Sequence, residues 1–170
     1  MTDGLRPRVS RAARLLGYAG LLPQIGAALL TIAGGPDWTA YGAVLAFGYA
    51  ALILSFLGGI WWGLATSHAM KRGWLFVLAV APSLFAFAVL IAMLVAGKAG
   101  IFAEFYYGWA LTALGVGLIA TLPVDAHLEA NGDAPSGWFR LRSVLSLCLG
   151  LLTIATGAWY AANVVTIIHA

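Results

Sequence analysis

The sequence predicts an all-α integral membrane protein, a bundle of five transmembrane helices, and three observations carry that prediction. Of 170 residues 62% are hydrophobic and only 9% charged. An ordinary soluble domain is about a quarter charged, so water cannot solvate a surface built from this chain. The apolar residues gather into five continuous runs, each near the ~20 residues that a helix needs to cross a hydrocarbon core. The basic residues stand at the edges of those runs rather than inside them. Continuous runs favour helices over a barrel, whose strands alternate in polarity and are about half as long.

The first span is expected over Leu15–Ala33, behind Arg6, Arg8, Arg11 and Arg14. Basic residues before an apolar run resemble a secretory signal, but this run is longer than the usual apolar region of about 7–15 residues, so it reads as a retained helix. Pro23 lies inside it, removing a backbone donor and freeing the carbonyl of Ala19, with Gln24 beside it. The second span is expected over Tyr41–Ala65. Here Ala51, Ser55, Gly59 and Gly63 recur every four residues, a ribbon of small side chains along which another helix can approach closely. At 100° per residue Ser55 and Trp62 fall within about 20° of one line, with Gly58 and Gly59 between them, whereas Trp61 points about 120° away from Ser55.

The third span, Trp74–Ala96, contains Pro82-Ser83, so that the Leu78 carbonyl also lacks its helical donor. The fourth covers Phe105–Leu122 and the fifth Val144–Ile168. Between these two runs the longest connection, Pro123–Ser143, is read as a loop, and the remaining connections are too short for a second domain. The whole of 1–170 is therefore one membrane domain.

Eight of the nine basic residues fall on one side of this arrangement and Lys98 alone on the other. Lys and Arg are retained on the cytoplasmic side, which sets the N terminus inside and the C terminus outside. Trp38, Tyr41, Tyr106, Tyr107, Trp109, Trp159 and Tyr160 fall toward the outer interface. Trp61, Trp62, Trp74 and Trp138 fall toward the inner one, as an aromatic belt requires. The net charge of +3 then points to anionic lipid rather than nucleic acid, because the charges flank membrane spans. Asp3 and the short segment before the first helix favour a bacterial inner (cytoplasmic) membrane over a mitochondrial one.

The polar inventory is small. Gln24, Ser55 and Ser83 lie at membrane depth and are expected to serve the carbonyls that the prolines free. They are either helix-packing glue or, with Gly58, Gly59, Trp62 and Gly63, part of an apolar ligand pocket. No charged residue falls near the middle of any span, which disfavours ion-coupled transport. Asp125, His127 and Glu129 cluster beyond the fourth span, with His68 after the second. The spacing lacks the Glu-Xaa-Xaa-His and His-Glu-Xaa-Xaa-His patterns of metal sites, so no metal or cofactor is assigned. Asp125 is expected to pair at the interface with Arg140 or Arg142. Cys148 has no neighbouring histidine to activate it, and no nucleophile elbow or phosphate loop is present, so catalytic residues are assigned nowhere.

The run Leu54-Ser55-Phe56-Leu57-Gly58-Gly59-Ile60 followed by Trp62-Gly63 resembles a five-span membrane family of unknown function that includes mitochondrial transmembrane protein sixty-nine. So do Leu16-Gly17-Tyr18-Ala19-Gly20-Leu21-Leu22-Pro23, Pro82-Ser83, Asp125 and Trp138-Phe139-Arg140-Leu141-Arg142. The resemblance covers nearly the whole chain and implies an inner-membrane location without an activity. Members commonly carry a basic or imidazole side chain where this sequence has Trp61. Two readings follow. One is a structural, accessory or assembly component that packs with itself or with a larger membrane complex. The other is a binding or carrier protein for an apolar ligand such as a lipid, quinone or tetrapyrrole.

Overall fold

The computed structural model describes residues 8–67, 73–98 and 103–168, with backbone alone for 103–105 and 164–168. His68, Lys71, Arg72 and Arg6 lie outside the described residues. Seven helices follow one another: α1 (Arg11–Ala19), α2 (Leu22–Ala33), α3 (Pro36–Ser67), α4 (Gly73–Lys98), α5 (Ala103–Ala120), α6 (Leu122–Ala130) and α7 (Trp138–Ile168). Five stretches are long and apolar enough to cross a membrane, namely Arg11–Ala33, Pro36–Ser67, Gly73–Lys98, Tyr106–Ala130 and Trp138–Asn163. The protein is thus all-helical among its described residues, apart from an isolated parallel bridge between Arg8 and Ser136.

The first and fourth crossings are each two helices in series, broken one residue before a Leu-Pro pair at Leu22-Pro23 and Leu122-Pro123. A proline near a helix start costs nothing because its missing N–H would have been unsatisfied anyway. The break between α1 and α2 leaves the Gly20 carbonyl outside the helical ladder, and the Tyr49 hydroxyl of α3 donates to it. Tyr49, rather than Gln24, Ser55 or Ser83, supplies the donor at this break. Glycines make the tight turns: Gly35 (φ 76°) precedes α3, and Gly132 (φ 79°) and Gly137 (φ 82°) flank the turn between α6 and α7. The predicted long loop over Pro123–Ser143 is therefore mostly helix. It holds all but the first residue of α6 and the first turns of α7, and only residues 131–137 lie between them. The apolar run stops at Leu122, but helical hydrogen bonding does not depend on hydropathy and continues past it.

The centre of the bundle is α3, which packs against α2, α4, α5 and α7. Its buried face carries Ala43, Ala46, Ala50, Leu54, Leu57, Gly58, Trp61 and Ala65. The most extensive contact joins α5 to α7, which run antiparallel. Both helices carry glycines seven residues apart, Gly108 and Gly115 on α5 and Gly150 and Gly157 on α7. A Cβ added at Gly108 would lie 2.6 Å from the Gly157 carbonyl oxygen and one at Gly157 2.5 Å from that of Gly108. At Gly115 and Gly150 the corresponding distances are 2.6 and 2.8 Å, each to the other's carbonyl oxygen. A seven-residue repeat keeps one face of each helix toward the other over two turns, and glycine lets the backbones touch where lipid would compete equally well for larger apolar side chains.

Around this core the outward surface is apolar, with Leu16, Leu15 and Val77 each at least 70% exposed. In water such flanks would aggregate, whereas in a bilayer they face acyl chains. Two residues expected in the aromatic belts, Trp61 and Tyr160, are instead buried in the interior.

Gly157→Ile and Gly115→Ile are expected to lower unfolding free energy in detergent micelles by about 1–3 kcal/mol or more through overpacking. Gly26→Ile, at a position with no atom of another element within 4 Å, should leave the thermal midpoint nearly unchanged. Equal midpoints for all three variants would show that the α5–α7 contact is wrongly placed.

Candidate functional site

One end of the bundle gathers the start of α1, the C-terminal end of α3, α6 and the start of α7, and with them Arg8, Arg11, Arg14 and Arg140. One turn inside this basic end lies Asp125, fully buried. Three donors converge on its carboxylate. The Trp61 indole of α3 donates to Oδ1 at 2.9 Å, the Trp138 indole of α7 donates to the same oxygen at 3.2 Å, and Arg142 Nε of α7 donates to Oδ2 at 2.9 Å. Arg142 is itself only 6% exposed, and its Nη2 donates to Ser146 Oγ at 3.0 Å.

Of the two arginines expected to pair with Asp125, the structure selects Arg142; Arg140 is exposed. The selection is geometric. Arg142 follows Trp138 by four residues on α7, so their side chains lie over one another on the face that meets α6, and Arg140 points about 160° away from that line. Removing a carboxylate and a guanidinium from water costs several kcal/mol per ion, and the loss is offset only where further hydrogen bonds complete both groups. The two indoles and Ser146 supply those bonds.

The same helix uses a second carboxylate for the turn. Asp125 and Glu129 are four residues apart and share one face of α6. Glu129 Oε1 accepts from the Gly137 backbone N–H at 2.9 Å and Oε2 from that of Phe139, capping the first turn of α7, whose leading N–H groups have no helical partner. Leu128 between them is fully buried. Val9 N–H donates to the Ser136 carbonyl at 3.3 Å, which fastens the segment before α1 to this turn. His127 stands outside the cluster, its ring edge on Trp74 at 5.5 Å, and among the described residues no group of three His, Cys, Asp or Glu is placed to hold a metal.

Farther into the bundle Gln24 is fully buried. Its Nε2 donates to Thr153 Oγ1 at 2.9 Å, and that hydroxyl donates in turn to the Leu149 carbonyl at 2.7 Å, joining α2 to α7. Gln24 Oε1 has no partner. Ser55 and Ser83 do not join it. Ser55 lies at the edge of the outer face of α3 and Ser83, half-buried, on α4, so the polar spot expected from these three residues is not assembled.

The double glycine of α3 divides its duties. A Cβ on Gly58 would come within 2.1 Å of the Ala79 carbonyl oxygen of α4 and 3.5 Å of Pro82 Cδ, so this glycine brings α3 against the proline-bearing turn. Gly59 and Gly63 are exposed with no atom of another element within 4 Å, and Trp62 is 48% exposed, its ring edge on Phe76 at 5.0 Å. Of the small-residue ribbon predicted as a packing face, Ala51 packs against the core, whereas Gly59 and Gly63 meet no other element within this chain. Adjacent glycines point 100° apart, and the face that the chain buries is set by Leu54, Leu57, Trp61 and Ala65. Trp61, read from sequence as pointing away from Ser55, donates to Asp125 in the ionic cluster. A Trp-Xaa63-Asp pair has no local signature that sequence reading can detect.

Two cavities open beside these features. One, of about 170 Å³, lies among α1, α3, α5 and α7 and has Arg142 and Ser146 on its wall. The other, of about 310 Å³, lies among α3, α4, α5 and α6 beside Trp61, Pro82, Phe85 and Thr121.

Fold and site together define a polytopic membrane protein whose buried ionic centre holds helices together. The chain belongs to the family described as a protein of unknown function (DUF3429), whose model matches residues 9–158, a range that includes every residue of the Asp125 cluster. Neither the curated proteins nor the solved structures give a match.

Removing one member of the ion pair, as in Asp125→Leu or Arg142→Leu, is expected to cost about 3–5 kcal/mol by leaving a buried charge unpaired. The double variant should cost less than the sum. Trp61→Phe should cost about 1–2 kcal/mol through one lost donor. Denaturant unfolding in micelles measures all four, and strict additivity would dismiss the coupling.

Proposed function

We propose that the protein is an accessory or assembly component of a larger complex in the bacterial inner (cytoplasmic) membrane, with its N terminus inside and its C terminus outside. Its partner is a transmembrane helix of another subunit, seated on the outer face of α3. The observation that carries this reading is how the helical glycines divide. A glycine inside a helix costs about 1 kcal/mol relative to alanine. At Gly42, Gly58, Gly108, Gly115, Gly117, Gly150 and Gly157 the cost is offset by contact with a neighbouring helix, each with a would-be Cβ under 3.0 Å from it. Gly26, Gly48, Gly59, Gly63 and Gly73 have no such neighbour, and of these Gly48, Gly59 and Gly63 share one helix and fall within about 60° of one another along the outward line of α3.

Phe56 and Trp62, 63% and 48% exposed, stand about 60° to either side of Gly59. They form aromatic walls on a floor of backbone and the Ser55 hydroxyl. This is the geometry on which an incoming helix gains close van der Waals contact and a polar anchor in a solvent where burial of apolar area alone gives nothing. The orientation rests on the basic residues, and the resemblance to mitochondrial transmembrane protein sixty-nine extends the reading to a mitochondrial inner-membrane counterpart.

Affinity purification of the full chain in mild detergent tests the reading. Wild type is expected to carry stoichiometric membrane partners. Gly59→Leu and Gly63→Leu, which add bulk into open space, should keep the wild-type thermal midpoint while losing those partners. A wild-type chain that always emerges alone, or variants that retain the same partners, would overturn it. Cysteines placed at Asp37 and Asn131 are expected to label from outside and inside respectively, and labelling of Asn131 from outside would reverse the topology.

A further inference from the structure

We propose that the cavity walled by Arg142 is a binding site for an amphiphile that carries an oxyanion on an acyl chain. Phe56 borders both this cavity and the Gly59 face, but the cavity lies between α3 and α1, α5 and α7, and the proposal does not rest on the reading above. Its wall holds a charged side chain that is more than nine-tenths buried and whose hydrogen-bonding capacity is not used up. A guanidinium has five N–H donors. Arg142 Nε serves Asp125 and one Nη2 donor serves Ser146, and three N–H groups remain.

Asp125 meets Arg142 through Nε alone, and its other oxygen is committed to the two indoles. The Nη edge of the guanidinium is therefore left for a second acceptor, in the planar fork geometry that suits carboxylate and phosphate oxygens. The other walls are apolar, contributed by Leu16 and Gly20 before the Pro23 break, Phe56 of α3 and Leu145 of α7. At about 170 Å³ the space is below the ~300–1,000 Å³ of a pocket that encloses a whole ligand. It fits a head-group oxyanion and the start of a chain, the rest of which continues into the bilayer beside the exposed Leu16.

Depth agrees with this chemistry. Arg142 is four residues into α7, about 6 Å from its start at 1.5 Å per residue, where lipid head groups give way to hydrocarbon. The helix that covers the cavity, α1, has no buried residue and carries exposed Arg11 and Arg14, so positive potential lies over the entrance. A shallowly packed α1 also lets a chain enter from the side.

Two anions share this chemistry, a free long-chain carboxylate and an anionic phospholipid, and the test separates them. The full chain in micelles is titrated with oleate and with oleyl alcohol. In parallel it is reconstituted in phosphatidylglycerol–phosphatidylcholine nanodiscs, whose retained lipid is read by native mass spectrometry. Wild type is expected to prefer oleate over oleyl alcohol, or phosphatidylglycerol over phosphatidylcholine, by about tenfold, the worth of one charge-assisted hydrogen bond. Preference in the first comparison alone identifies a free carboxylate, and in the second alone a membrane lipid.

Leu145→Trp, which fills the cavity without replacing either member of the ion pair, should abolish the preference while keeping the ligand-free thermal midpoint. Arg142→Lys, which keeps the charge and loses the fork, should reduce the preference about tenfold. Absence of either preference in wild type, or its survival in Leu145→Trp, overturns the proposal.

Discussion

The buried carboxylate of Asp125 is the constraint around which the basic end of the bundle is arranged. A carboxylate out of water must be matched by donors whose positions are set in advance, and here those donors come from helices far apart in sequence. Trp61 lies near the C-terminal end of the buried face of α3, and Trp138 and Arg142 lie in the first turns of α7. Their positions determine how those helices meet α6, and through Glu129 the same nine-residue helix also caps α7. Asp125 continues the buried face of α5: Leu111, Leu114, Leu118, Thr121, Asp125 and Leu128 recur every three or four residues and are all buried, so that face stays in register across the break at Thr121.

Toward the other end the means of association changes. Among the described residues no ion pair holds α5 against α7. Glycines two turns apart on each helix do so, pairing Gly108 with Gly157 and Gly115 with Gly150. Gln24 and Thr153 add a single polar tie between the two zones. The layering follows depth. Charged hydrogen bonds lie near the head groups, where their desolvation costs least, a neutral amide–hydroxyl pair lies farther in, and pure van der Waals packing occupies the remainder.

Much of the architecture was legible in the residues because a bilayer imposes few choices. Run length gives the crossings, and edge charges give a topology to test. The interior was less legible. In α3 the four-residue spacing marked Gly59 and Gly63 as a contact face, yet within the chain only Gly58 of the double glycine touches a neighbour. Small size permits approach without naming the neighbour. The pairing of Asp125 with an arginine could be expected from proximity in sequence, but Trp61 as its partner lies across the fold. The α5–α7 glycines carried a readable signal, equal seven-residue spacing on two spans, that stands out only when two helices are compared with each other.

The hydrogen bond from Val9 to Ser136 and that from Gln24 to Thr153 join the first crossing and the segment before it to α7 and the turn that precedes it. During synthesis the ribosome delivers α2 long before Thr153 exists, and α5 before its glycines have a counterpart. The first four crossings must therefore wait side by side in lipid, with the amide of Gln24 unanswered, until α7 enters. Closure of these five crossings waits for α7, and a chain truncated within that span would lose the element that the earlier helices were shaped to receive.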